Sequence, residues 1–108
     1  MSGEFAGTLS EQVLIERRSA VRDAMGLPVD GWERVCACRA SIRPDGFGGE
    51  SQGEALSAAP KYRVTIRRRE GIAIDQRVNW GGRRMLVRQL IDDPAAKDRI
   101  AMRCEEIR

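Results

Sequence analysis

Histidine is absent from this 108-residue chain. Its absence removes the commonest general base and the commonest zinc ligand, so no Ser-His-Asp or Cys-His site can form within the chain. Cysteine is scarce, with only Cys36, Cys38 and Cys104. An odd count in a short chain argues against a disulfide framework, and one intervening residue is not the two that zinc sites favour. The three read as small buried hydrophobes of a reducing compartment. Aromatics number five: two Trp, two Phe and one Tyr. With Trp80 expected in the core or as an interface anchor, too few remain for a base-stacking platform. No stretch approaches the roughly 18 continuous apolar residues of a membrane span. The first residues lack the basic-then-apolar order of a signal peptide, so synthesis and folding in a cytoplasm are expected. Carboxylates group only as Asp92-Asp93, Glu105-Glu106 and Asp45. Adjacent strand residues point to opposite faces, so none of these makes a paired-acid site. No enzyme, cofactor or metal site is expected.

What is present is charge of both signs, 19 basic against 16 acidic residues, for a net +3. That balance is a mixed, solvated surface rather than the clustered positive charge of a strong nucleic-acid binder. The length suits one domain spanning 1–108, burying about 60–65% of the surface its unfolded chain exposes. A core that modest leaves surface for partner subunits to cover.

Hydrophobic periodicity places six strands. In Lys61-Tyr62-Arg63-Val64-Thr65-Ile66-Arg67, Tyr62, Val64 and Ile66 share one face while Arg63, Thr65 and Arg67 share the other. This strand is expected over 61–69. Another over 12–18 puts Val13 and Ile15 opposite Leu14 and Glu16. A third over 32–44 is apolar on both faces at its centre and closes at Pro44. Residues 74–80 and 83–91 form a hairpin about Gly81-Gly82, the pair that supplies the positive φ angles of a two-residue turn. The last strand covers 98–105, where Ile100, Met102 and Cys104 repeat the period of two. Gly26, Pro28 and Gly31 mark 23–31 as a long turn, with one helical turn over 19–25 as the alternative. Residues 1–9 read as an arm. Residues 45–60, rich in glycine, exceed the usual length of a structureless connection and are either a loose connector or a projecting functional loop. The fold class is therefore all-β: a small antiparallel barrel or sandwich of about six strands with a long inserted loop. Closure would remove exposed edges.

The order of landmarks resembles the phage head–tail joining family, also called head-closure or stopper proteins. It starts at Gly7-Thr8-Leu9 and Val13-Leu14-Ile15-Glu16-Arg17, then Asp23, Gly26, Pro28 and Trp32. Ala40-Ser41-Ile42-Arg43-Pro44 resembles the end of the family's second strand, and Arg63-Val64-Thr65-Ile66-Arg67 its most recognisable one. Gly71-Ile72, Arg77-Val78-Asn79-Trp80-Gly81-Gly82-Arg83, Asp93-Pro94, Arg99 and Cys104-Glu105 complete the match. Arg39 stands where members often carry an aromatic, and Met85 where many carry tyrosine or an apolar residue.

The resemblance implies a small β-barrel with a long loop, acting as a virion neck component. It implies a homo-oligomeric ring, hexamer or dodecamer, with a portal or adaptor protein above and a tail terminator or tail tube protein below. Packaged double-stranded DNA would pass through its channel, which the ring closes after packaging. The setting would be a phage, a prophage or a gene transfer agent, assembled in a bacterial cytoplasm with no membrane involved. A head-to-tail ring needs two different complementary faces on each subunit. Arg63, Arg67 and Arg69 on one strand, and Glu105 with Glu106 elsewhere, are the candidates. Asp45, Gly46, Phe47, Gly48, Gly49, Glu50 and Leu56 of the long loop are candidates for the gate or adaptor contact. A small nucleic-acid-binding barrel is the alternative.

Overall fold

In a computed structural model describing residues 7–45 and 59–107, the alternation of apolar and polar residues resolves into six strands. They are β1 (Glu11–Arg18), β2 (Trp32–Asp45), β3 (Lys61–Arg67), β4 (Arg77–Trp80), β5 (Arg83–Ile91) and β6 (Arg99–Ile107). They close into a barrel in the order β1-β2-β3-β6-β5-β4. Every neighbouring pair is antiparallel. Of the expected barrel and sandwich, the barrel forms.

Alternation decides what points inward. Val13 and Ile15 from β1, Val64 and Ile66 from β3, and Ile100, Met102 and Cys104 from β6 are all buried in one cluster. Cys36, Ala40, Val78, Met85 and Val87 complete it. Small Ala40 and the cysteines sit among larger Ile, Val and Met side chains, the mix of sizes that packs the interior of a narrow barrel. Two register shifts help the sheet curve. One lies between Ile15 and Glu16, opposite Val35, and the other inserts Arg88 between Val87 and Gln89.

Besides shifts of one or two residues at the start of β1 and at both ends of β6, the strand bounds differ from expectation at three places. The third strand stops at Arg67 because Arg68 turns outward to bond the Lys97 and Arg99 carbonyls and Asp92. The fourth begins at Arg77, since Asp75 adopts a positive φ of 69° and cannot continue a strand. Pro44 does not end β2: it lies opposite Tyr62, and pairing continues one residue further to Asp45. The Gly81-Gly82 hairpin forms as expected, with φ of 54° and 85°.

Closure depends on a short seam. β1 meets β4 at only three pairs, Leu14 with Asn79, Ile15 with Val78, and Glu16 with Arg77. Glu16 reinforces it. Its Oε1 accepts hydrogen bonds from Arg77 Nη2 and Asn79 Nδ2, each at 2.7 Å, and from Arg77 Nε at 3.0 Å. Both partners of this ion pair are largely shielded, at 17% and 16% side-chain exposure. Burial alone would raise the Glu16 pKa; the bonds from Arg77 and Asn79 and the charges of Arg77 and Arg84 outweigh it and hold the group below its ordinary value. The Arg77 guanidinium in turn lies 4.2 Å from the centre of the Trp32 ring.

Ile66 is fully buried in the barrel. Ile66→Ala is expected to cost about 3 kcal/mol and Ile66→Val about 1 kcal/mol in chemical denaturation. Glu16→Gln is expected to cost about 2 kcal/mol at neutral pH, since two donors lose a charged acceptor. A carboxylate with a depressed folded-state pKa stabilises above its unfolded-state pKa, and that contribution disappears as pH falls through the folded value. The wild-type chain should therefore lose stability on acidification, while Glu16→Gln loses less over the same range. Equal pH profiles would show that Glu16 carries no charge-dependent role.

Candidate functional site

Between β1 and β2 the chain does not simply turn. Residues 19–31 continue the hairpin outward as a narrow ribbon. The Ser19 amide donates to the Gly31 carbonyl and Val29 to Val21, both at 2.9 Å, and Asp23 donates to Leu27 at 2.8 Å. Arg22 and Pro28 form a further bridge. The tip is tied down locally. Asp23 Oδ1 accepts from the amides of Met25 and Leu27, and Arg22 Nη1 donates to the Gly26 carbonyl, all at 2.9 Å. Gly26 supplies the positive φ of 82° the turn needs. The helical turn considered for 19–25 does not form.

This braced ribbon presents apolar side chains to solvent. Met25 is 84% exposed and Leu27 61%, with Val21 and Val29 exposed beside them. Among the described residues the one other exposed large hydrophobic is Ile74. Ile74 lines an open groove of about 670 Å³ with Arg17, Arg18, Trp32, Ile72 and Gln76. Arg18 and Trp32 are the residues from which the ribbon springs, so groove and ribbon share one end of the barrel. Gln76 lies under the groove, buried; its Nε2 donates to the Gly71 carbonyl at 2.7 Å, while its Oε1 has no partner. Apolar side chains exposed together at one end of a small protein are the kind of feature that interaction sites share.

The other end of the closing hairpin is polar and internally satisfied. Trp80 is half-buried rather than central: its Nε1 donates to Glu11 Oε1 at 2.9 Å, and its ring meets Tyr62 edge-on at 5.7 Å. Arg83 Nη1 donates to the Tyr62 hydroxyl at 2.8 Å and pairs with Glu106 at 3.3 Å.

The sequence candidates divide. Arg63 and Arg67 lie exposed on the outer face of β3, as alternation requires. Arg69 lies past the strand's end, beside Cys38. Glu105 is engaged within its own barrel by Arg88 at 3.1 Å, as Glu106 is by Arg83. Asp45 ends β2 and accepts from Arg103 Nε at 2.9 Å. Gly46, Phe47, Gly48, Gly49, Glu50 and Leu56 lie outside the described residues. The exposed ribbon is not legible in the sequence: Asp23, Gly26 and Pro28 announce a turn, and exposure of the apolar residues around them is a property of the fold.

Nothing in the described residues favours chemistry. Burial pushes the Cys104 thiol up to about 12. Burial and the neighbouring Cys36 push Cys38 up to about 11 against the opposing effect of Arg69, so both stay protonated and unreactive at neutral pH. Among the described residues no three Cys, Asp or Glu side chains gather where they could hold a metal ion.

The fold is similar to the solution structure of protein SF1141 from Shigella flexneri 2a, with a TM-score of 0.71 and 26% identity over 93% of this chain and 94% of that one. It is also similar to a chain in the virion of a native gene transfer agent particle, with a TM-score of 0.65 and 19% identity over 92% of this chain and 96% of that one. No curated protein matches the chain. Residues 6–107 match the family model for phage head completion proteins, and the chain belongs to that family of structural phage proteins.

Proposed function

We propose that this chain is the neck subunit of a phage-like particle, a ring of six or twelve copies seated between the portal or its adaptor and the tail. The observation that carries the reading is the braced ribbon over 19–31. A closed barrel leaves no sheet edge for docking, so contact with other proteins has to use loops and faces. Here one loop is held rigid by its own hydrogen bonds while Met25, Leu27, Val21 and Val29 face solvent. Rigid apolar anchors bind with little ordering cost, which suits a permanent joint. Membership of the head completion family and the shared fold with a gene transfer agent virion chain support a place in a particle. Assembly would take place in the bacterial cytoplasm, with the ribbon end meeting a portal-side or tail-side partner.

The ring closes the DNA channel after packaging, and residues 45–60 are the stretch assigned to that role. Asp45 pairs directly with Lys61, so the two ends of the stretch are neighbours and a tight turn can replace it. Replacing residues 46–58 by a short glycine-serine turn should leave the barrel folded and yield heads that lose their DNA. Filled, tailed particles from this variant would remove the loop from the closing role.

The docking role has its own test. Met25→Asp with Leu27→Asp should change stability by less than about 0.5 kcal/mol, as for other exposed positions. Heads should then accumulate without tails or without this protein. Normal joined particles from the double variant would overturn the assignment of the ribbon as the docking anchor.

A further inference from the structure

The outer face of β2, β3 and β6 carries arginines in register. Arg43 lies directly opposite Arg63, and Arg63 directly opposite Arg103. Four residues along, Arg67 lies opposite Arg99, and Arg39 lines the same surface depression as Arg67. Between the two rows lie Ser41, Thr65 and Ala101, also mutually paired and all small. Arg103 pairs with Asp45 and Arg99 with Asp98. Among the described residues Arg43 and Arg63, the β2 and β3 members of the first row, have no carboxylate partner.

Like charges directly opposite one another destabilise an antiparallel sheet. Here the arrangement occurs twice in succession and once more on the next row, on an exposed face where threonine would serve the fold better. We propose that this face binds the phosphate backbone of double-stranded DNA, which deepens the neck reading by setting it against the duplex that such a ring surrounds. Three observations favour this ligand. Every cation on the rows is arginine, whose planar fork takes a phosphate through two parallel bonds. The rows stand four residues apart, roughly 13 Å at the rise of a strand. That is close to the roughly 12 Å width of the major groove, so the rows can meet phosphates on its two sides while the low strip of Ser41, Thr65 and Ala101 faces the gap. No aromatic side chain lies on the rows, so recognition is of backbone rather than of unstacked bases. A second copy of this chain is the competing occupant: among the described residues Glu16, Glu33, Asp92, Glu105 and Glu106 are ion-paired inside their own barrel, while Glu70, Asp75 and Asp93 are exposed outside any such pair, and the titration separates it from DNA.

The test is anisotropy titration of a labelled duplex of arbitrary sequence with the purified full chain, across 50 to 200 mM salt. Each neutralised phosphate contributes about −0.9 to the slope of log K against log salt. The wild-type chain should bind with a steep slope. Arg43→Ala with Arg63→Ala should bind at least tenfold more weakly at 50 mM, with a slope shallower by about 2. Its melting temperature should be unchanged or higher, since opposed like charges are removed. Arg34→Ala, exposed at the start of β2, should behave as wild type. Absence of salt-dependent binding, or an unchanged slope in the double variant, would overturn the proposal. If the wild type binds no duplex yet the double variant fails to enter particles, the face meets an acidic protein instead: the DNA proposal falls and the neck reading stands.

Discussion

The three residue pairs that join β1 to β4 hold the rest of the molecule in place. Without them the sheet would be an open six-stranded ribbon with two bare edges, and the inward-facing apolar residues of six strands would no longer surround one another. The seam is short because β4 is short, and β4 is short because Asp75 turns the chain immediately before it. Glu16 compensates by gathering three donor contacts from Arg77 and Asn79 on the far side of the join. Arg77, held by that carboxylate, packs over Trp32, and Trp32 opens β2 at the root of the projecting ribbon. The charged clasp that closes the barrel therefore also sets the base of the ribbon proposed as the docking surface.

Closure divides the labour among the surfaces. The core cluster is held by dispersion and hydrophobic burial, and Cys104 sits protonated among Met102 and Ile100, as any small apolar residue would; buried Gln76, at the groove, is the polar exception among the described residues. One end presents apolar side chains on a rigid ribbon above a groove containing Ile74 and Trp32. One outer face presents arginines in rows. An apolar anchor gives residence time, while a field of like charge gives attraction without a fixed register along a polyanion. On the proposed neck reading, a joint fixed to protein while DNA moves past it needs both behaviours, and it needs them on different surfaces.

Much of the barrel is legible in the sequence because its strands alternate strictly. Tyr62, Val64 and Ile66 against Arg63, Thr65 and Arg67 specify β3 and its inward face, and Gly81-Gly82 specifies the β4–β5 hairpin without any tertiary information. The length of β4 is less legible, since Ile74 continues an apparent alternation that Asp75 breaks only through its backbone angle. The site is less legible still. Glu16 and Arg77 are 61 residues apart, and no local pattern pairs them. Arg43 and Arg103 look like ordinary outward residues until the register sets them on either side of Arg63. Glu105 looks like a free partner for a neighbouring subunit until the bulge at Arg88 brings a guanidinium to it. Residues 19–31 read correctly as a turn region, but their punctuating Gly and Pro hide a hydrogen-bonded ribbon whose importance lies in what it leaves exposed.

The central claim is a place in a particle, and imaging answers it most directly. Particles from the producing cells, with this chain tagged or marked by antibody, should show it as a ring between a portal-type assembly and a tail, with the ribbon ends seated against one of the two. A chain absent from particles, recovered instead as a free monomer, would contradict the account.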